Sequence, residues 1–320
     1  MDIINSTFKM KILKIRKSTI LNFRFSILNS EKGIALVLTL MVLALITALV
    51  VEFSYAVYTN TNALYNWKTS QRLSFVAKSG VKLASKVILE NIGQYLYTYP
   101  GSLDIPLNNP FEDFKGTVFL RIEDETSKFN INSMVYSNGL LNEKAYNSFI
   151  RLLRALGIES AIADRIVDWI DPDKEPRLSD SEKESKNLYL DSIDEILLIP
   201  GIDRTVYEKI APYVTIYGNG RININGAEVP VLMSLSEFID KEKAERIVRY
   251  RNITPFTESG NITKVAGFEN IAISIIEKID VKGTHFRILS TATEEGIKKV
   301  IESVLEISSI SATVRYWREM

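Results

Sequence analysis

Hydrophobic residues are concentrated in one run near the start of the chain. No charged residue occurs from Gly33 to Val51, and Glu52 ends the run. As an α-helix the run would rise about 28 Å, at roughly 1.5 Å per residue, and the hydrocarbon core of a bilayer is about 30 Å thick. The pattern therefore predicts a transmembrane helix over residues 34–52.

The charges in front of this run predict its orientation. Residues 1–33 contain the acidic residues Asp2 and Glu31 and a larger basic set, namely Lys9, Lys11, Lys14, Arg16, Lys17, Arg24 and Lys32. Because the cytoplasmic flanks of membrane helices are rich in lysine and arginine, we expect a cytoplasmic N-terminus. The residues that follow the run, VEFSYAVY, lack the small-x-small pattern of a signal-peptidase site.

Apolar residues continue at helical spacing beyond the run, and no proline occurs between Gly33 and Pro100. They form two stripes that are rotated from each other. The first is Phe53, Val57, Leu64, Trp67 and Phe75, with Asn62 and Asn66 opposite, and the second is Leu73, Ala77, Val81, Ala84 and Ile88. We predict one long helix whose second half packs on a folded body. Two separate helices are the alternative, because the stripes are rotated.

Alternating patterns predict β-strands before and after a long central segment. Val118, Leu120 and Ile122 alternate with Phe119, Arg121 and Glu123, as in a half-buried strand. Residues 284–320 predict three further strands, with a tight turn at 294–296. The fold class is therefore α+β, with a long N-terminal helix packed on an antiparallel sheet. Residues 53–132 and 281–320 form this body.

The central segment, residues 133–280, is predicted to be a helical insert with an internal duplication. The tripeptide Asn-Ile-Asn occurs at 130–132 and again at 223–225, and ADRIVDWID (163–171) is matched by AERIVRYRN (244–252). Glycines at the turns give the copies the character of helix-hairpin-helix or SAM-like elements. Many such hairpins bind DNA phosphates through turn amides. Here Asp203 and Glu269 follow the turn glycines Gly201 and Gly267, and an acid would repel phosphate.

The composition removes several classes of function. Lys+Arg and Asp+Glu are both 39, so no overall field attracts nucleic acid. There is no cysteine and one histidine, His285, in a strand-like segment that favours a structural role. No Walker loop, HExxH or nucleophile elbow occurs in the sequence. We therefore predict a protein that is not an enzyme and has no nucleic-acid partner.

One acidic stretch has the composition of a calcium site. DWIDPDKEPRLSDSEKES, from Asp168 onward, supplies closely spaced carboxylates on a loop, and Ca²⁺ binds such oxygen donors. The alternative is a solvated loop that is partly neutralised by its own basic residues, Lys174, Arg177, Lys183 and Lys186.

The N-terminal run resembles that of prepilins, in which a basic leader ends in glycine, here SEKG. The resemblance implies that prepilin peptidase cuts after Gly33, that the new N-terminal Ile34 is methylated, and that residues 1–33 are the leader. Most pilins have glutamate at the fifth mature position, where this chain has Leu38. Within the superfamily that absence marks the K-type minor pseudopilin of type II secretion, the general secretion pathway protein K family. Further motifs agree with that family: VEF (51–53), KFNIN (128–132), VDWIDPD (167–173), PGID with YEKIAPYVTIYG (through 218) and RININGAE (221–228).

The resemblance implies a role at the tip of a pseudopilus, in its initiation and in protein export. It implies I-type and J-type minor pseudopilins and the major pseudopilin as partners, a bacterial inner-membrane anchor and a pilin-like body in the periplasm. It also implies that Ca²⁺ is bound by Asp168, Asp171, Asp173 and Glu182, although Asp180-Ser181 replace the family's Gly-Ala. Two alternatives stay open: a membrane-anchored helix-hairpin-helix DNA-binding protein of an uptake system, and a minor pilin of a surface type IV pilus.

Overall fold

The computed structural model describes residues 31–110, 114–179, 181–183, 185–308 and 311–320. Most of the predicted leader therefore lies outside the described residues. The chain divides into two compact units, and the division falls after Lys68. The same helix, α1 (Glu31–Gln94), contributes residues to both units. The structure thus has one continuous helix where the rotated stripes left two possible.

The first unit is described from residue 31 to Lys68, all of it in α1. Every side chain from Ile34 to Lys68 is exposed in the isolated chain. Among the described residues, α1 alone is long and apolar enough to cross a membrane, and its most apolar window has a mean hydropathy of 3.0. An apolar surface of this length needs lipid or other helices to cover it.

In the second unit, residues 69–94 of α1 pack on a five-stranded antiparallel sheet. The second apolar stripe is buried there: Leu73, Ala77, Val81, Ala84 and Ile88 are all in the sheet core. Phe75, from the first stripe, is exposed. At Gly80 a Cβ would lie 2.3 Å from Ser290 Oγ, so only glycine allows the helix to approach the sheet this closely.

The sheet has the strand order β1-β2-β7-β8-β9. Its strands are β1 (Ser102–Asn108), β2 (Thr117–Asp124), β7 (His285–Glu294), β8 (Ile297–Ile307) and β9 (Ala312–Glu319). The body is therefore built from segments on both sides of the insert, since β2 pairs directly with β7. The predicted α+β class is confirmed. Strand β1 was not predicted from the sequence.

The insert has its own hydrophobic core, distinct from that of the sheet. Strand β3 (Phe129–Asn130) lies just before the insert, and the described part of the insert contains β4 (Val214–Thr215), β5 (Ile222–Asn223) and β6 (Ile279–Asp280). Its helices are α2 (Glu143–Ala155), α3 (Ala161–Ile170), α4 (Arg204–Ile210), α5 (Val229–Ser234), α6 (Lys241–Ile253) and α7 (Ala272–Ile275). Strand β3 pairs in parallel with β4, and β5 pairs in parallel with β6. Each copy of the duplication thus starts and ends at one short parallel pair.

The repeated Asn-Ile-Asn tripeptide performs the same task in both copies. Its isoleucine is fully buried at Ile131 and at Ile224. The second asparagine of the first copy, Asn132, accepts a hydrogen bond from the backbone N–H of Leu190 (2.9 Å) and donates to the carbonyl of the same residue (3.0 Å).

In the second copy, Asn225 makes the same pair of bonds with the backbone of Phe256, at 2.8 and 2.9 Å. Because buried backbone groups must be hydrogen-bonded, this asparagine is needed wherever the repeat brings a loop across its core. The two copies are thus similar in structure as well as in sequence.

A buried carboxylate connects the sheet to the insert. Glu125 is fully buried directly after β2. Its Oε1 lies 2.7 Å from Lys128 Nζ and 2.9 Å from Arg287 Nε on β7, and its Oε2 accepts from Thr215 Oγ1 on β4 at 2.6 Å. Burial alone would raise the pKa of Glu125, but the positive charges of Lys128 and Arg287 outweigh burial and hold that pKa at about 2. Glu125 is therefore ionised wherever the protein is folded at ordinary pH.

Candidate metal centre, processing site and family

The acidic residues predicted to bind metal lie where α3 ends. Asp168 is in the last turn of α3, and Asp171 is its C-cap, with extended backbone angles (φ −72°, ψ 149°). The helix ends there because the residue before a proline, here Pro172, is disfavoured in the helical region. The chain then forms a loop that returns to Asp168 through Ser181.

Three of the four predicted ligands converge. Asp168, Asp171 and Glu182 each offer one carboxylate oxygen, and these oxygens lie within 4.8 Å of one another. We refer to these three residues as the acidic group. Asp168 and Asp171 are buried, and Glu182 is partly buried. Asp173 is exposed, and its side chain accepts from the backbone N–H of Glu175 at 2.9 Å, so it lies outside the group.

Hydrogen bonds satisfy only part of the acidic group. Asp168 Oδ2 accepts from the backbone N–H of Arg177 (2.8 Å) and from the Ser181 hydroxyl. The Arg177 guanidinium lies 3.2 Å from Asp168 Oδ1 and donates to Asp171 Oδ2 at 2.9 Å. Among the described residues, Asp168 Oδ1, Asp171 Oδ1 and Glu182 Oε1 are buried and accept no hydrogen bond, and of the three Asp168 Oδ1 has an ion pair with Arg177.

Asp171 is a weaker acid than an ordinary aspartate, chiefly because it is buried. Burial, and then the nearby charge of Asp173, raise the pKa of Asp171 to about 6, although Arg177 acts in the opposite direction. Three carboxylates with one guanidinium and two unpartnered buried oxygens are a donor set that fits a hard divalent cation. Asp168, Asp171 and Glu182 therefore fit Ca²⁺, and calcium binding stays a prediction.

The turns that resemble DNA-binding hairpins are occupied by the protein's own side chains. Gly201 and Gly267 have φ values of +84° and +88°, which favour glycine. Arg165 on α3 donates to the carbonyl of Pro200 at 3.0 Å beside the first turn, and Arg246 on α6 donates to that of Ala266 at 3.2 Å beside the second. The same arginine of each repeat thus caps the same turn.

The acids at these turns also bind backbone amides. Asp203 caps the N-terminus of α4 by accepting from Val206 N at 2.8 Å, and Glu269 accepts from Gly267 N at 3.3 Å. Phosphate would have to displace these carboxylates, so the geometry disfavours nucleic acid at either turn. His285 begins β7, and its ring stacks on that of Tyr217 with centroids 5.9 Å apart.

The residues predicted for processing lie at the start of α1. Gly33 and Ile34 are helical, and Leu38, five residues into the predicted mature chain, has 56% of its surface exposed. The basic residues before position 31 lie outside the described part of the chain. Leu38 therefore lies on a continuous apolar surface of α1.

Comparison with known proteins identifies the family. Residues 127–219 and 222–282 match two family models that both carry the description type II secretion system (T2SS), protein K. The boundary between the two matches falls where β5 and the second Asn-Ile-Asn copy begin. Type II secretion system protein K of Pseudomonas aeruginosa is 26% identical over 74% of this chain and 77% of its own length. That of Aeromonas hydrophila is 23% identical over 86% and 92%.

A solved structure has the same fold. It is the GspK-GspI-GspJ complex from the type 2 secretion system of enterotoxigenic Escherichia coli, which matches with a TM-score of 0.61 and 18% identity over 78% of this chain and 96% of the matched chain. The family matches, the curated relatives and the helix-sheet-insert architecture agree: the chain belongs to the type II secretion system protein K family.

Proposed function

We propose that this minor pseudopilin occupies the tip of the type II secretion pseudopilus, where it is needed for initiation of the pseudopilus and for export. The observation that carries the proposal is Leu38. A glutamate at that place can pair with the N-terminal amine of a neighbouring subunit, and a buried charge without such a partner is costly. A subunit with Leu38 offers only apolar packing, so it can end a filament without leaving a carboxylate unpaired.

The size of the insert supports the same position. The insert adds residues 133–280, with their own core, to a body of helix and sheet. A subunit that repeats along a helical filament must leave room for its neighbours on all sides, whereas a subunit at the end needs none beyond it. One copy at the end is therefore the arrangement that best accommodates the insert.

The anchor and its topology follow from α1 and the charges before it. Residues 34–52 cross the bacterial inner membrane, the basic leader stays in the cytoplasm, and the body and insert lie in the periplasm. Prepilin peptidase removes residues 1–33, and the new amine of Ile34 is methylated. We propose no catalytic role, because anchoring and assembly require only the helix surface and the folded body.

The expected partners are I-type and J-type minor pseudopilins, together with the major pseudopilin. The solved structure with the same fold is a complex of GspK with GspI and GspJ. The exposed first stripe of α1, which includes Val57 and Leu64, supplies an apolar surface for neighbouring pilin helices.

Co-expression tests the partner proposal. The full chain should co-purify with the I-type and J-type pseudopilins of the same bacterium in one stable complex. The double variant Val57→Glu, Leu64→Glu places charges on the apolar stripe, so we expect at least about a tenfold loss of complex. Asn62→Glu, which adds a charge opposite the stripe, should leave the complex intact. Equal loss in both variants would contradict a role for this stripe.

We also propose that the acidic group binds Ca²⁺. Asp168, Asp171 and Glu182 would hold the ion, which would neutralise their charge and tie the loop to the end of α3. Because a ligand that binds only the folded state stabilises it, chelation should lower the melting temperature of residues 55–320 by about 5–10 °C relative to saturating calcium.

The double variant Asp171→Asn, Glu182→Gln should remove that calcium-dependent shift. Glu175→Gln, which alters an exposed acid in the same loop, should retain it. A calcium-dependent shift that persists in the double variant would place the ion elsewhere, and an absent shift in the unaltered protein would show that calcium does not bind while Arg177 is in place.

A further inference from the structure

We propose that Arg177 is an internal counter-ion of the acidic group. Its guanidinium supplies the positive charge beside the carboxylates when calcium is absent, and it must leave them when calcium binds. Arg177 therefore sets the calcium affinity of the site. The inference rests on the proposed calcium site and names the residue that regulates it.

Within the described part of the chain, the hydrogen bonds and ion pairs of Arg177 are made with the two buried aspartates. Its Nε lies 3.2 Å from Asp168 Oδ1, its Nη2 donates to Asp171 Oδ2 at 2.9 Å, and its backbone N–H donates to Asp168 Oδ2 at 2.8 Å. The guanidinium thus bridges two of the carboxylates that would ligate the ion. A fork of this kind matches paired carboxylates better than a lysine ammonium would.

Arg177 neutralises only part of the negative charge of the acidic group. One guanidinium faces three carboxylates, and Asp171 Oδ1 and Glu182 Oε1 are buried without a hydrogen-bond partner among the described residues. These two oxygens accept no hydrogen bond from the arginine, and their residues belong to the acidic group. The site is therefore closed by Arg177 but not fully neutralised by it.

Calcium and the guanidinium compete for the same oxygens. A calcium ion takes about 6–8 oxygen ligands at about 2.3–2.6 Å, more than the two unpartnered oxygens supply, and ligation by Asp168 Oδ1 or Asp171 Oδ2 would require that oxygen to turn from Arg177 to the ion. A calcium ion and a guanidinium bound to the same carboxylates would also repel each other, because both are positively charged.

Arg177 has a route out of the site. Its side chain is already 29% exposed, and it lies on a loop, so the guanidinium can swing into water. The backbone N–H bond to Asp168 is independent of that motion and can continue to hold the loop. Displacement of the side chain alone would exchange one cation for the other.

Calcium titration of the full chain in detergent micelles, by calorimetry, tests the proposal. Arg177→Met removes the charge and keeps an unbranched stem. We expect it to bind calcium at least about fivefold more tightly than the unaltered protein, within the roughly 5- to 150-fold range of coupled equilibria. In chelator the variant should melt at a lower temperature than the unaltered protein, and saturating calcium should abolish that difference.

Two further variants separate competition from general effects. Lys174→Met removes an exposed cation from the same loop and should change the affinity by less than about threefold, since exposed charges are screened. Arg177→Lys keeps a cation without the fork and should lie between the unaltered protein and Arg177→Met. If Arg177→Met does not fold, the calcium affinity of Arg177→Lys tests the proposal instead.

Each outcome has a defined meaning. Calcium binding that requires Asp171 and Glu182 but is unchanged or weaker in Arg177→Met would overturn the counter-ion role and leave the calcium site standing. Binding that appears only after Arg177 is replaced would support the role in its strongest form. If neither the unaltered protein nor Arg177→Met binds calcium, or if binding survives Asp171→Asn with Glu182→Gln, both the site and the inference are wrong.

Discussion

Replacing Gly33 by leucine should leave the chain as an uncut precursor. The proposed peptidase cuts after a glycine, and a large side chain at that position would not fit a site that accepts only a small residue. The unaltered chain, extracted from membranes, should begin at Ile34. In the variant, N-terminal sequencing and intact mass should both return a chain that still carries residues 1–33.

The uncut Gly33→Leu precursor should not assemble into the pseudopilus at all. An uncut chain keeps its basic leader in front of α1 and has no free amine at Ile34, so it cannot present the N-terminus that neighbouring subunits pack against. Ala48→Leu is the matched control, since it changes a small residue inside the apolar run and should be processed normally. A mature N-terminus after Ala48 in the unaltered protein would instead indicate ordinary signal peptidase and no retained anchor.

Replacing Glu125 by glutamine should cause a large loss of stability. The change removes the fully buried carboxylate that Lys128 and Arg287 share and leaves these cations with only Glu123 and Glu302 as partners among the described residues. Removing one partner of a buried ion pair costs about 3–5 kcal/mol. We expect a loss of about 3 kcal/mol in the free energy of unfolding of residues 55–320 at pH 7, measured by urea denaturation. Asp104→Asn breaks a surface pair with Arg121, in which both side chains are 44% exposed, and should leave the free energy of unfolding nearly unchanged because solvent screens exposed ion pairs.

The effect of Glu125 should depend on pH in a definite direction. Its pKa is held at about 2 in the folded protein, below the ordinary value of 4.5. The stabilisation is therefore fully present above about pH 4.5 and is lost as the pH falls towards 2. The difference between the unaltered protein and Glu125→Gln should shrink over that range. A difference that stays constant from pH 7 to pH 2.5 would show that the ion pairs are not its cause.

The elements that follow a local period could be predicted from the sequence. The second apolar stripe of α1 and the alternation in β2 both depend on neighbours along the chain, and the structure buries the residues they indicate. Strand β1 was missed because Pro106 and Asp104 interrupt its pattern. Both are tolerated because β1 is an edge strand, where one side of the backbone needs no partner.

The tertiary roles of the repeated motifs could not be predicted in the same way. The Asn-Ile-Asn repeat can be recognised in the sequence, but the residues to which Asn132 and Asn225 are hydrogen-bonded are 58 and 31 positions away. The sequence suggested four basic residues that could neutralise the acidic loop. The structure distinguishes them: Arg177 enters the acidic group, whereas Lys186 pairs with Asp191 and Glu195.

The position of the chain in the filament is the central claim, and localisation of the body on purified pseudopili tests it most directly. An epitope placed after Met320 and detected by immunogold labelling should mark one end of each filament, with about one copy per filament by quantitative mass spectrometry. Gold particles spread along the shaft, with many copies per filament, would contradict the account.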